Sequence, residues 1–320
     1  MILAGDIGGT NTRLALFENG KMLGEEKKFP SAKYKCLEDI CSEFLQDKQV
    51  LKACFGVAGP VRDGKSKITN LPWNIDAAHI SQTLKIPKVH LLNDLEANAY
   101  GLKMLQKGEL FLLHEGVHQK GNQALIAAGT GLGEAGLFWD GNEHRPFACE
   151  GGHADFAPRN ALEIELLVYL MKQFGTVSYE RVLSGPGIHS LFQFLIDTGR
   201  EVLSPALKAE MEKRNPVEVI SEWGCQNKDK ACVHAIEWFV SLYGAEAGNM
   251  ALKFLSLGGF YIGGGIAPRI ISKIKEGAFH ASFLNKGRFK DLLETIPIWI
   301  VLNDNAALLG AANYAESYES

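Results

Sequence analysis

The stretch ILAGDIGGTNTRLALF, residues 2–17, sets Gly8, Gly9, Thr10 and Asn11 between two apolar runs, with Asp6 at the mouth of the turn. Glycines with small hydroxyl and amide residues offer backbone N–H groups to an anion such as phosphate. A carboxylate beside phosphates is repulsive unless a cation lies between them. Mg²⁺ keeps most of its waters and accepts one or two carboxylates together with phosphate oxygens. Asp6 therefore reads as a metal-facing group acting through water. Gly5, Ile7, Gly8, Gly9, Thr10 and Asn11 then surround the phosphates of a nucleotide.

A second unit of this kind, ALIAAGTGLGEAGLFW, spans residues 124–139 and turns at Gly129, Thr130, Gly131, Leu132 and Gly133. It has no acid matching Asp6. Two hairpins facing each other, each clamping one end of a phosphate chain, account for both stretches and for that asymmetry. Ordinary tight hairpins also use glycine in this way. The echo between the two points to an internal duplication. A third glycine run, Gly263-Gly264-Gly265, follows the apolar Phe260–Ile262 and suits either a platform for a nucleoside or a plain strand-to-helix turn.

Other phosphate loops fit less well. The Walker spacing occurs once, at Gly59, Gly64, Lys65 and Ser66, but Ile68-Thr69-Asn70-Leu71-Pro72 follows where a P-loop needs a helix. The pattern G-x-G-x-x-G occurs at Gly131, Gly133 and Gly136, but Leu137-Phe138-Trp139 continues as a strand where a dinucleotide fold needs a helix.

The elements that would carry these turns follow from periodicity. Residues 2–4 and 13–17 read as strands, and 21–29 as a third after the Asn19-Gly20 turn. Further strands are expected at 53–57, 89–92, 260–262 and 298–302, with helices at 37–45, 75–84, from Asp94 to about 105, 161–174, 188–198, 216–221, 233–257 and 305–315. Asn215, Pro216 and Glu218 resemble a capped helix start. Residues 200–230 are charged and short of apolar period, and are expected to lie outside any core.

A chain of 320 residues favours two domains. Its 46% hydrophobic and 22% charged residues are those of a globular protein, and a net charge of −4 gives no basic face for nucleic acid. No apolar run approaches the ~20 residues of a membrane span. The six cysteines, at 36, 41, 54, 149, 225 and 232, form no C-x-x-C pair, so free thiols in a reducing compartment are expected rather than zinc ligation. With no basic stretch before the first strand, a cytoplasmic location is expected.

GDIGGTNTR, GPV at 59–61, TNLPW at 69–73, LLNDLEA at 91–97, GTGLG at 129–133, EGGHADFAP at 150–158, ERVLSGPG at 180–187 and GGGIAPR at 263–269 occur in this order. Together they resemble the bacterial glucokinase family of the hexokinase–actin superfamily over nearly the whole chain. The resemblance implies an α/β, two-domain, actin-like or hexokinase-like ATPase fold, with a cleft between a smaller domain (1–106 plus 304–320) and a larger one (107–303). It implies phosphorylation of glucose at its 6-hydroxyl by ATP with Mg²⁺, and a homodimer. One departure is Ala148-Cys149 ahead of Glu150, where relatives commonly carry Pro-Gly. The zinc motif and DNA-reading helices of related repressors are absent from the sequence.

The family's sugar-contacting positions correspond to Asn93, Asp94, Glu150, His153 and Glu180. A hexose is neutral and covered with hydroxyls, so a selective pocket needs carboxylates and amides at set positions. Asp94 is the expected general base. Local readings compete: Asn93-Asp94 is also a helix start signal, Glu150 with His153 suits a loop ion pair, and Glu180 suits a solvated helix. A kinase for another hexose and a nucleotide-switched binding protein of the actin kind are the alternative functions.

Overall fold

In the computed structural model, residues 1–68 and 71–317 are described; Thr69 and Asn70 of the TNLPW motif lie outside them. The chain divides into two units. The first comprises Met1–Glu109, Arg145–Ala148 and the chain from Asn303 onward; the second comprises Leu110–His144 and Cys149–Leu302.

The first unit is built on a five-stranded sheet ordered Lys21–Pro30, Asn11–Glu18, Ile2–Ile7, Lys52–Val57, Lys88–Asn93. The opening hairpin is antiparallel, and the last three strands run parallel. Both opening strands are longer than periodicity predicted, because cross-strand pairing carries Gly5 and Asp6 into the ladder with Leu14 and Arg13, and Asn11 into that with Pro30. Alternation sorts the side chains of Ile2–Ile7 onto two faces. Leu3 and Ile7 join a core with Leu37, Ile40 and Ile80, whereas Ile2 and Ala4 join another with Ala97, Leu308 and Ala311. Asp6 has the parity of Ile2 and Ala4. It therefore belongs to the alanine-rich face, covered by the helices Asp94–Gly101 and Ala306–Ser317.

These two helices meet backbone to backbone. A Cβ on Gly310 would overlap the Ala97 carbonyl oxygen, and one on Gly101 would overlap that of Ala306. Gly→Ala inside a helix ordinarily stabilises by up to ~1 kcal/mol. Here the sign should reverse: Gly310→Ala is expected to destabilise by ~1–3 kcal/mol, the usual cost of overpacking. Urea unfolding checks this, and an unchanged or raised midpoint would show that the helices can part freely.

The second unit repeats the scheme. The five strands of its sheet that lie wholly within this unit run Leu132–Trp139, Gln123–Ala128, Gly259–Gly263, Ile298–Val301, Leu110–His114, with the middle three parallel. The helix Lys230–Phe254 is the spine of the core, with Tyr243 fully buried at its middle. Residues 200–230 are not peripheral, contrary to expectation. They form the helices Pro205–Met211 and Pro216–Cys225, whose Leu207, Val219 and Ile220 are fully buried in that core. The first helix buries one residue and the second three, one of them Gly224, too few to impose a visible period on a charged stretch. Asn215 caps the second of them as expected, its Oδ1 accepting from Val217 N at 2.9 Å. Among the described residues, no helix is long and apolar enough to cross a membrane.

Candidate active site

In the first unit the parallel register aligns Ile7 with Val57, and Val57 with Asn93. Three adjacent strands thus end together, and the chain leaves them as Gly8–Thr10, Ala58-Gly59 and Asp94. Open parallel sheets bind ligands at this edge, beyond the carboxyl ends of their strands. The first turn is closed by Gly8 N donating to Asn11 O at 3.0 Å. Ser31 braces it from beneath, its Oγ donating to Gly8 O at 2.9 Å and its N–H to Thr10 O at 3.0 Å. Sequence reasoning passed over Ser31, which lies nineteen residues from the buried hydroxyl of Thr12 that it meets at 3.0 Å. Gly5 and Ile7 are packed into the core, so only their backbone can face a ligand.

Asp6 pairs in register with Gly56 on one side and Arg13 on the other. A Cβ on Gly56 would press on Ala97 Cβ at 2.8 Å and would stand 3.6 Å from Asp94 Cα. Its absence lets the helix that begins at Asp94 settle on the same face and at the same end as Asp6. Burial pushes the Asp6 carboxyl up to about 6; Arg13 opposes the shift, while Glu26 and Asp304 add to it. Arg13 Nη1 is itself held by Asp304 Oδ2 at 3.3 Å and Asn305 Oδ1 at 3.4 Å. Among the described residues the Asp6 carboxylate has no side-chain hydrogen bond.

The competing roles of Asn93 and Asp94 separate here. Asn93 is the helix cap: its Oδ1 accepts from Leu95 N at 3.0 Å and Glu96 N at 3.3 Å, and its Nδ2 donates to Gly59 O at 3.3 Å. Asp94 is the first helical residue, with Oδ1 accepting from Leu95 N at 2.9 Å.

In the second unit Leu132 gathers the other predicted polar residues. Its N–H donates to Glu180 Oε2 at 3.0 Å, and its carbonyl would be struck by any Cβ on Gly152. Glu150 and His153 bracket that glycine, His153 N donating to Glu150 O at 3.0 Å. The segments around them run side by side, with Tyr179 N donating to Ala154 O at 3.0 Å and Phe156 N to Val177 O at 2.9 Å. Glu150 and His153 are exposed and Glu180 half-buried. Glu180 lies in a 3₁₀ turn, Tyr179–Arg181, rather than on a solvated helix.

The two remaining glycine runs also lie together. Ala127 pairs with Gly263, and Ile266 N donates to Ala128 O at 3.2 Å, so Gly263–Gly265 flank the strand end that turns at Gly129–Gly131. Gly264 has φ +80 and no room for a Cβ against Ala128. Gly185 N donates to Gly129 O at 2.8 Å, which ties the SGPG helix start to the same turn.

Beneath the Glu150 loop is an acid that sequence reasoning did not single out. Glu134 is 2% exposed, and its Oε1 has no partner among the described residues. A Cβ on Gly151 would collide with its Oε2. Burial and the nearby Glu246 push its carboxyl up to about 8, with Lys253 opposing. Glu246 is better served, by Asn249 Nδ2 at 2.8 Å and Lys253 Nζ at 3.4 Å. The only sign of Glu134 in the sequence is a charge inside an otherwise apolar strand.

The chain matches the family described as Glucokinase over residues 3–318. It is 42% identical to a glucokinase of Trichormus variabilis, covering 98% of each chain. Among solved structures, a glucokinase from an Antarctic psychrotroph superposes with a TM-score of 0.84 at 30% identity, with 99% of each chain covered. A ROK family glucokinase from Streptomyces griseus, solved with glucose and AMPPNP, shares the fold at a TM-score of 0.68 and 19% identity, covering 99% of each chain. The fold is the actin-like hexokinase fold, and the chain belongs to the glucokinase family.

Proposed function

We propose that this protein transfers the γ-phosphoryl group of ATP to the 6-hydroxyl of glucose, with Asp94 as the general base. The observation that carries this reading is the shared edge of three parallel strands, where an anion-cradling turn, Asp6 and Asp94 stand together. Membership of a family of hexose kinases supports it. In the reaction the sugar O6–H bond breaks as O6–Pγ forms, Pγ separates from the β–γ bridging oxygen, and ADP leaves. The proton goes to the Asp94 carboxylate. In a loose phosphoryl-transfer transition state such a base mainly orients the nucleophile, so its modest basicity suffices.

Asn93, Glu150, His153 and Glu180 are assigned to the other sugar hydroxyls. Gly8–Asn11 and Gly129–Gly131 are assigned to the phosphates, and Gly263–Gly265 to the nucleoside. Asp6 fits a magnesium ion: a half-buried carboxylate short of partners gains from a divalent charge nearby. When bound, that ion neutralises charge on the β- and γ-phosphates. The two units are read as the small and large domains of this fold.

ADP formation from MgATP against a panel of hexoses tests the reading. Glucose-dependent turnover is expected. Turnover only with another sugar would reassign the substrate, and slow hydrolysis indifferent to sugar would favour an actin-like switch.

A further inference from the structure

The Leu110–His114 strand runs antiparallel to Ile298–Val301, and His114 pairs with Ile298. Ile298 in turn pairs with Phe260, and Phe260 with Ala124, all at the ends where the parallel strands begin. The glycine-rich turns stand where those strands finish. His114 is therefore at the opposite edge of the sheet from the nucleotide and sugar residues of its own unit. There it meets His280, from the helix Ala278–Leu284, and Glu294, the last residue of the helix Lys290–Glu294. One ligand atom from each of the three lies within 4.8 Å of the other two.

Three features of this cluster need a reason. His280 Nε2 is buried with no partner among the described residues, and buried polar atoms in folded proteins nearly always have one. The two imidazoles lie 4.4 Å apart between ring centres, tilted by 34°, a spacing at which two protonated rings would repel. Finally, His114 Nε2 is 2.7 Å from the Glu294 carbonyl oxygen. A carbonyl only accepts, so Nε2 must carry the proton and Nδ1 the lone pair. Metal-bound histidines are commonly oriented in this way, with the second ring N–H donated to a carbonyl or carboxylate.

We propose that His114, His280 and Glu294 form a binding site for a zinc-class divalent cation, separate from the catalytic residues. Two imidazole nitrogens and one carboxylate oxygen are a known three-residue zinc set that leaves a fourth position for water. Magnesium and calcium select oxygen donors and are not expected here. The cation joins an edge strand to two short helices and so acts as a staple, since whatever binds only the folded chain stabilises it.

The test uses the full chain, stripped with a chelator, reloaded with Zn²⁺ and dialysed, with retained zinc measured per chain. Free cysteines also attract zinc, so the comparison is with His114→Ala, His280→Ala and Glu294→Gln. Wild type is expected to retain about one equivalent that both histidine variants lose, and Glu294→Gln to bind at least ~10-fold more weakly. Glu294 is exposed, so that variant remains informative if a histidine variant fails to fold. Zinc should also raise the melting temperature of wild type and not of the variants. Retention equal in wild type and Glu294→Gln, or no retention by wild type, would overturn the site.

Discussion

Replacing Asp94 with alanine is expected to lower turnover at least ~10²-fold, the low end for loss of an acid–base group. Stability and glucose binding should change little. The structure makes this separation sharp, because the helix-capping role that competes for this position is performed by Asn93. Asp94 contributes to the helix as an acid in its first turn, worth ~0.3–1 kcal/mol, and by accepting from Leu95 N at 2.9 Å. Asp94→Asn is the more exacting variant. It keeps the shape and can still accept from Leu95 N, but it cannot take a proton from the sugar. Steady-state kinetics with glucose and MgATP, beside urea unfolding of the same samples, gives the answer. Turnover near wild type in Asp94→Asn would remove the base assignment, as would a turnover loss matched by unfolding.

Glu134→Gln should change how stability depends on pH near neutrality. The wild-type carboxyl is raised from the ordinary 4.5 to about 8, so the folded chain holds that proton more tightly than the unfolded chain does. Its contribution is complete below about pH 4.5 and is lost as pH rises toward and through 8. At ~1.4 kcal/mol per pH unit, the loss over the whole range amounts to roughly 5 kcal/mol. Asp6 acts in the same sense but finishes near 6, while the depressed His90 and His280 act in the opposite sense below 6.5. Lys286, lowered by burial to about 8, also acts in the opposite sense near pH 8, but it is common to both proteins, so the difference between them from pH 7 to 8 reports Glu134. Glutamine has nearly the same shape and no charge, so the variant should gain on wild type steadily across that interval. Parallel stability curves for the two proteins would mean that Glu134 is ionised and satisfied in the folded state. Because this carboxyl stands against Gly151, the loop carrying Glu150 and His153 should be the first part to loosen at high pH.

Much of this protein was legible in one dimension. Short apolar runs marked the central strands, and the helix Ala161–Phe174 was predicted at its observed bounds from its apolar spacing; the structure adds its cap, Asn160 Oδ1 accepting from Glu163 N at 3.0 Å. The two glycine turns were visible for the same reason: their conformations depend on residues a few places apart. Short elements were not. The strand Leu110–His114 and the helix Ala278–Leu284 carry too few residues to show a period, and they persist because a core already exists for them to cover.

The sequence by itself determined the residue types at each turn, and hence a chemistry of phosphate and hydroxyl recognition. Only the tertiary structure decided which of Asn93 and Asp94 caps the helix. It likewise decided that Asp6 and Asp94 share one face of a sheet, through a glycine at position 56. Burial, too, is conferred by the fold. Glu134 is an ordinary acid until a helix bearing Glu246 closes over it, and His114 and His280 are unrelated until a strand edge brings them into contact. Local conformation depends on near neighbours and can be written in the chain; desolvation and side-chain convergence depend on distant segments that meet only when the protein folds.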